Sequence, residues 1–228
     1  MSFIHCTENL VPLISEDGSQ TFFNQKINES YHSKIGAVTE AEHKFVKPSC
    51  LFDLLSNDKE IKILDLFFGL GYNTGVAIDY AYKTISSPKL EILGVEADEG
   101  ILNLIGDIQI PDWYRKWQEL LSSLVKEKEI DYENIKMKLL VNDIFKLIDK
   151  LPKNYFDVIF FDPFSHKVTK EFWDDKFLSD IFNLLKKGGT LTTYSGLKRV
   201  EKLALDLGFS IKRVEPLGRK KHSLVVVR

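Results

Sequence analysis

The sequence has few cysteines, little net charge and no long apolar run, and each shortage argues against a class of protein. Cys6 and Cys50, the two cysteines in 228 residues, follow no disulfide or zinc-binding pattern, so we expect reduced thiols and no metal centre. A formal net charge of −2 argues against a protein that holds nucleic acid by overall charge, although a local basic patch stays open. No segment reaches the ~18 apolar residues of a membrane span, and the amino terminus lacks a signal-peptide pattern. We therefore expect a soluble cytoplasmic protein that makes no membrane contact.

What the sequence does contain is an alternation of apolar strands and amphipathic helices. Apolar runs at 61–67, 90–97, 136–143 and 156–164 are each followed by a helical pattern, which is typical of a doubly wound parallel sheet with helices on both faces. The last two runs, FSIKRVEP and SLVVVR, are separated by six residues. This connection is too short for a parallel crossover, so the last strand is predicted to be antiparallel. The predicted fold is α/β, with a mostly parallel seven-stranded sheet.

Two segments need separate predictions. Residues 1–50 do not follow the alternation: DGSQTFF indicates a turn between short strands, and VTEAEHKFVKPS indicates a helix that ends near Pro48. We interpret residues 1–50 as an extension packed on a single domain, residues 51–228. Farther along the chain, residues 170–189 are predicted to form an amphipathic helix closed by the paired glycines Gly188 and Gly189.

The stretch ILDLFFGLGYNTG, residues 63–75, leads from an apolar strand into a glycine-rich turn. In doubly wound sheets the first strand–helix turn is the usual ligand cradle, and Gly69 and Gly71 would let the backbone approach a ligand. Glu96 ends the next apolar run, 25 residues beyond Gly71, where a carboxylate can accept both hydroxyls of a ribose. Turn glycines also occur without a ligand, and Glu96 alone would pass for a solvated acid. Together these features indicate a cofactor that contains a nucleoside.

Three features favour S-adenosylmethionine over a nicotinamide dinucleotide as this cofactor. Gly75 lies four positions after Gly71, whereas the pyrophosphate fingerprint places its third glycine three positions after the second. Asn142 and Asp143 end the third apolar run, where an adenine amino group can be recognised; a cap on the following helix is the alternative role of Asp143, and the two roles are compatible. The antiparallel last strand is the topology associated with Rossmann-like class I methyltransferases.

The motif FFDPF places a carboxylate and a proline at the end of the fourth apolar run. Asp162 would lie beside the reacting end of the cofactor, and Pro163 would give the turn a fixed shape. Phe164 would offer an aromatic face to a flat substrate, because base–aromatic stacking is worth about 1–3 kcal/mol per base. A simple Asp-Pro turn and a core phenylalanine are the alternatives. Trp113 and Trp117 are interpreted as packing residues.

Four longer stretches resemble the methyltransferase module of MnmC-type tRNA-modifying enzymes. They are the amino-terminal DGSQTFFNQKINESYHSKIGAVTEAEHKF, the loop GLGYN, the turn DPFSHKVTKEFWDDKFL and the tail LGRKKHSLVVV. The resemblance covers nearly the whole chain in matching order. In bifunctional members this module is joined to a flavin-dependent oxidase; the chain ends at Arg228, so we expect the stand-alone form.

This resemblance implies methylation of 5-aminomethyl-(2-thio)uridine at the wobble position, in the anticodon region of certain tRNAs. The product would be the 5-methylaminomethyl nucleoside. The residues that would bind the cofactor are Tyr31, Gly69, Leu70, Gly71, Asn73, Glu96, Asn142, Asp143, Asp162 and Pro163. The residues that would be catalytic are Asp162 and His32, and those that would contact the substrate are Phe164, Arg219, Lys220 and Lys221.

Two other functions stay open at the level of sequence. The first is a spermidine-synthase-like aminopropyl transferase, which shares the fold and a Tyr-His motif before the glycine turn. The second is a catalytically idle methyltransferase-fold module that binds RNA or a protein. The family usually has glycine where this chain has Phe67, and this departure keeps the second alternative open. The sequence carries no signal for an oligomeric state.

Overall fold

The computed structural model describes residues 9–57, 59–108, 111, 115–217 and 221–228. Its amino-terminal part forms a small sheet followed by a helix. The antiparallel sheet contains β1 (Leu10–Ile14), β2 (Gln20–Asn24) and β3 (Glu29–Ser30). The helical segment comprises α1 (Ala37–Glu40), a π-helical turn (Ala41–Val46), a 3-10 turn (Lys47–Ser49) and α2 (Leu51–Leu55). The short strands and the helix predicted for this segment are therefore present. The division of the chain at residue 50 stays a prediction.

The main sheet has eight strands in the order β10-β11-β9-β8-β4-β5-β7-β6. In chain order they are β4 (Ile61–Leu66), β5 (Leu90–Glu96), β6 (Glu129–Tyr132), β7 (Ile135–Val141), β8 (Phe156–Phe161), β9 (Leu185–Thr193), β10 (Ser210–Val214) and β11 (Ser223–Val227). The five central strands are parallel, and β11 runs antiparallel to both of its neighbours. The predicted mostly parallel sheet with an antiparallel last strand is confirmed.

Helices connect the strands and cover both faces of the sheet. They are α3 (Tyr72–Thr84), α4 (Glu99–Leu102), α5 (Arg115–Glu127), α6 (Ile144–Leu147), α7 (Asp175–Phe182) and α8 (Lys198–Asp206), with 3-10 turns at Ile148–Lys150 and Lys170–Trp173. The apolar run of β4 is continuous because both faces of the strand are buried. Ile63 packs in the hydrophobic core on one face of the sheet, and Leu64 packs in the core on the other. Phe22 and Phe45 pack in the same core as Ile63, so the amino-terminal segment is joined to that face.

Two details differ from the predictions. The sheet has eight strands rather than seven because the charged segment Glu129–Tyr132 pairs with β7 as an antiparallel edge strand. The predicted helix over 170–189 ends at Phe182, and Gly188 and Gly189 lie inside β9. Gly188 has a φ of 81° there, so the left-handed backbone expected of a helix cap belongs to an irregularity in the strand. None of the helices in the described part of the chain is both long and apolar enough to cross a membrane.

Candidate functional site

A cavity of about 750 Å³ lies at the carboxyl ends of β4, β5, β7 and β8. The turns that follow these strands form part of its wall, and residues 27–35 of the amino-terminal segment form another part. The described residues that line it include one lysine, Lys34, and seven acids: Glu29, Glu40, Glu96, Asp98, Asp143, Asp162 and Glu171. Such a surplus of carboxylates favours a ligand that carries positive charge.

The two predicted cradle glycines have different structural reasons to be glycine. Both have left-handed backbone, with φ of 54° at Gly69 and 75° at Gly71. A Cβ added to Gly69, which lines the cavity, would make only ordinary contacts, at 3.7 Å from the Phe67 carbonyl oxygen and 3.9 Å from the Tyr31 ring, so its left-handed backbone is the reason for glycine there. A Cβ added to Gly71 would lie 2.8 Å from the Leu121 side chain and 2.9 Å from that of Phe68. Gly71 is therefore required by core packing.

Phe67 also has left-handed backbone, with a φ of 64°. This conformation costs an L-residue about 1–2 kcal/mol, so the backbone at this position favours glycine over phenylalanine. The Phe67 ring packs against Phe172, with centroids 4.4 Å apart, and against Phe161 at 5.7 Å. Phe67 thus forms an aromatic part of the cavity wall.

Glu96 is oriented by three backbone N–H groups at the end of β5. Gly69 donates to Oε2 at 2.9 Å, and Ala97 and Asp98 donate to Oε1 at 2.8 and 2.9 Å. Burial raises the pKa of the Glu96 carboxyl, and these hydrogen bonds act against the rise. Oε2 accepts from one backbone donor and keeps a second lone pair, so the oriented group can still accept a ligand hydroxyl.

Asn142 and Asp143 follow β7 and line the same cavity. Asp143 caps α6 by accepting a hydrogen bond from the backbone of Phe145 at 3.0 Å. The Asn142 side chain accepts from the backbone N–H of Asp143 at 2.9 Å. The capping role considered for Asp143 is thus present, and its second oxygen leaves room for a ligand contact.

Asp162 lies at the end of β8 and is oriented by Asn73. The Asn73 Nδ2 donates to Asp162 Oδ2 at 3.0 Å, and the Asp162 backbone N–H lies 3.4 Å from the Leu66 carbonyl oxygen. Asn73 is 8% exposed on the first turn of α3. Among the described residues, Leu70, Gly71 and Asn73 do not line the cavity, whereas Gly69 and Asp162 do.

Asp65 is a buried acid that sequence reasoning passed over. It is fully buried in β4 and accepts from Thr74 through the backbone N–H at 3.1 Å and the hydroxyl at 2.7 Å. Its Oδ1 has no hydrogen-bond partner among the described residues. Burial, together with the charges of Asp162 and Glu96, raises the pKa of Asp65 to about 8. An aspartate inside an otherwise apolar run was the signal available.

Tyr31 and His32 reach the cavity from the amino-terminal segment. The Tyr31 ring meets the Phe164 ring edge-on, with centroids 4.9 Å apart. His32 Nδ1 is 2.9 Å from the Thr21 hydroxyl oxygen, and burial lowers the pKa of His32 to about 4. His32 is therefore neutral at pH 7, which suits a hydrogen-bonding group better than a proton acceptor. Pro163 also lines the cavity.

The structure describes one of the three basic residues predicted to contact tRNA. Arg219 and Lys220 lie outside the described residues, as does Trp113, while Lys221 is exposed. Trp117 is 3% exposed and belongs to the core, as predicted. Glu29 and Tyr194 line the cavity although no local sequence pattern marks them.

A family model described as S-adenosyl-L-methionine-dependent methyltransferase matches residues 111–228. An uncharacterized protein of Methanocaldococcus jannaschii is 35% identical over 94% of this chain and 58% of its own length. The tRNA 5-methylaminomethyl-2-thiouridine biosynthesis bifunctional protein MnmC of Cupriavidus metallidurans is 25% identical over 94% of this chain and 33% of its own length. The chain thus spans less than two thirds of each of these curated relatives.

Solved structures show the same similarity. The crystal structure of MNMC2 from Aquifex aeolicus has a TM-score of 0.84 and 31% identity, and the match covers 95% of this chain and 70% of that one. A probable spermidine synthase from Corynebacterium glutamicum has a TM-score of 0.54 and 14% identity, and the match covers 96% of this chain and 75% of that one. The second likeness shows a shared fold alone.

Proposed function

The chain belongs to the S-adenosyl-L-methionine-dependent methyltransferases, and we propose that it methylates the amine of 5-aminomethyl-(2-thio)uridine at the wobble position of tRNA in the cytoplasm. The observation that carries this proposal is the position of the Asp162 carboxylate, which lines the cavity and is oriented by Asn73. Phe164 lines the same cavity from the turn after β8 that also carries Asp162. The similarity to MnmC proteins supports the choice of tRNA and of the aminomethyl group.

The volume of the cavity, about 750 Å³, and its charge suit S-adenosylmethionine. We propose that Glu96 binds the ribose hydroxyls, that Asp143 and Asn142 contact the adenine, and that the backbone at Gly69 meets the methionine part. The seven lining carboxylates complement a ligand that carries a sulfonium and an ammonium group. When bound, the cofactor supplies a methyl group that is already activated for transfer.

The protein's own contribution is to orient the amine and to assist the loss of its proton. An aliphatic amine is largely protonated at neutral pH, since its pKa is about 10. The Asp162 carboxylate can accept a hydrogen bond from the amine and stabilise the ammonium that forms on nitrogen. Asn73 fixes the direction of that carboxylate. Tyr31 and Phe164 form an aromatic corner against which a flat base can pack.

The test is methyl transfer from labelled S-adenosylmethionine to tRNA that carries or lacks the aminomethyl group. We expect label only in tRNA that carries it. Asp162→Ala should slow transfer about a hundredfold or more while the cofactor Kd changes little, because Glu96 and Gly69 remain. Asp206→Ala, an exposed aspartate at the end of α8, is the matched control. Transfer to unmodified tRNA, or none despite cofactor binding, would contradict the proposal.

A further inference from the structure

Glu29 joins the amino-terminal segment to the turn that follows Asp162. The backbone N–H of Ser165 donates to Glu29 Oε2 at 3.0 Å, and the Ser165 hydroxyl donates to Glu29 Oε1. Both residues line the cavity, although they are 136 positions apart in the chain. One carboxylate thus accepts two hydrogen bonds from one residue, an arrangement stronger and more specific than a single neutral hydrogen bond.

The turn is anchored without help from Glu29. The carbonyl oxygen of Phe164 accepts from the Thr169 hydroxyl at 2.8 Å and from the Trp173 indole at 3.0 Å. The carbonyl oxygen of Ser165 accepts from the backbone of Val168 and Thr169 at 2.9 and 3.0 Å. Four donors from residues 168–173 therefore fix the turn, and it can serve as a fixed point for another segment.

The segment that needs holding is residues 25–35, which we call the strap. Strand β3 within it has two residues, and it pairs with β2 only through Glu29 and Ser30. The Tyr31 backbone N–H donates to the Phe22 carbonyl at 2.9 Å, His32 Nδ1 lies 2.9 Å from the Thr21 hydroxyl oxygen, and the Ser33 N–H donates to Glu40 at 2.7 Å. The strap presents Tyr31 to the cavity, so whatever fixes the strap also fixes Tyr31.

We propose that Glu29 is a positioning residue that latches the strap to the Ser165 turn and thereby holds Tyr31 against Phe164 at the reacting end of the cavity. This inference rests on the proposed function for its effect on the reaction. The latch itself is a property of the fold and can be measured without any substrate.

The latch is tested first by amide hydrogen exchange, followed by NMR, in the protein without tRNA. In Glu29→Ala the Ser165 and Tyr31 amides should exchange at least about tenfold faster, because the strap opens locally without global unfolding. Glu16→Ala is the matched control, since Glu16 is an exposed glutamate in the turn between β1 and β2. Unchanged exchange at Tyr31 in Glu29→Ala would overturn the proposal, because loss of the acceptor alone already speeds exchange at Ser165.

The effect on the reaction is tested by single-turnover methyl transfer to aminomethyl-bearing tRNA. Glu29→Ala should slow the transfer step about tenfold or more, because a loose Tyr31 no longer orients the acceptor, with a smaller change in cofactor Kd. Glu29→Gln, of nearly the same size, keeps one acceptor oxygen for Ser165 and should recover part of the rate. It also serves if Glu29→Ala folds poorly.

A double-mutant cycle distinguishes a latch from two independent effects. Once Glu29 is replaced by alanine, adding Ser165→Ala should cost little more, because the two side chains act through one contact. Rate losses that multiply in the double variant would overturn the latch. If the wild-type protein transfers no methyl group, the proposed function fails, and hydrogen exchange alone decides on the latch.

Discussion

Phe67 holds a backbone conformation that glycine adopts freely and other residues rarely adopt. Replacement by alanine removes the ring contacts with Phe161 and Phe172 but keeps the strain, whereas replacement by glycine removes both. We therefore expect Phe67→Gly to be more stable than Phe67→Ala by about 1 kcal/mol, measured by urea unfolding. At Leu205, exposed in the helix α8, the same pair of substitutions should show the usual order, with alanine more stable. The same order at both sites would refute the left-handed assignment of Phe67.

Asp65 makes stability depend on pH in a direction unusual for a carboxyl group. Its pKa is about 8 in the folded protein and 3.8 without the fold, so between these values the folded state holds a proton that the unfolded state releases. The free energy of unfolding should therefore fall as pH rises, by up to about 1.4 kcal/mol per pH unit. His32, with a pKa lowered from 6.5 to about 4, acts in the opposite direction below pH 6.5.

The interval between pH 6.5 and 8 thus isolates Asp65 from His32. Asp65→Asn keeps an oxygen for Thr74 and cannot ionise, so urea unfolding of this variant should show a flatter pH dependence over that interval. An identical slope in wild type and variant would mean that Asp65 is already ionised in the folded protein.

At the level of secondary structure, the contact between α3 and α5 requires glycine, which has no side chain, at position 75. A Cβ on Gly75 would lie 2.4 Å from ring atoms of Trp117, which is buried and has no room to move. Gly75→Ala should therefore destabilise the protein by about 1–3 kcal/mol, although alanine is the better helix former. Gly106→Ala is the control, since its added Cβ would meet only the Ser122 hydroxyl at 3.7 Å. Equal thermal stability of the two variants would contradict this packing.

The elements that the sequence predicts are those whose cause is local. Strand β4 is a continuous apolar run because both its faces are buried. Strand β6 was missed because alternate residues face solvent at the sheet edge, which leaves a charged sequence. The predicted helix end at Gly188 was wrong because a left-handed glycine is found in strand irregularities as well as in helix caps. Here the pairing of β9 with β8 shifts between Leu185 and Thr190, and Gly188 lies in that shift.

The same distinction applies to the candidate site. The sequence predicts Glu96 and Asp162 as site residues because each ends an apolar run, and parallel strands bring such ends together at the cavity. Glu29 was missed because its importance comes from a contact with Ser165, which only the folded chain creates. Asn73 was expected at the cofactor, whereas the structure shows it donating to Asp162. A residue type marks a motif, but the fold decides which neighbour receives its hydrogen bond.

For the whole molecule, a net charge of −2 and an acidic cavity must be reconciled with the polyanionic substrate that we propose, tRNA. The structure shows which basic side chains already have a carboxylate partner and are therefore less available to bind phosphate. Arg199 pairs with Asp175 at 2.6 Å, and Arg213 pairs with Glu201, so both arginines already have carboxylate partners. Lys198 and Lys221 are exposed, and the described part of the chain supplies neither with an ion pair.

These two lysines lie on segments that contact each other. A Cβ on Gly196 would lie 2.5 Å from the His222 carbonyl oxygen, so the segments that carry Lys198 and Lys221 are in contact. The segment that carries Lys198 also includes Tyr194, which lines the cavity. Negative charge inside the cavity and two exposed lysines on segments near Tyr194 together suit the proposed tRNA substrate, with its backbone outside the cavity and one modified base inside.

We therefore expect Lys198→Ala and Lys221→Ala each to weaken tRNA binding and to reduce the slope of log K against log[salt] by about 1. Arg213→Ala should change the slope less, because its charge is already balanced by Glu201. The measurement is anisotropy of labelled tRNA over a series of salt concentrations, with the cofactor Kd as a check on folding. The cofactor Kd should not change, since neither lysine lines the cavity among the described residues. Equal slopes for the wild-type protein and both lysine variants would place the phosphate contacts elsewhere on the surface.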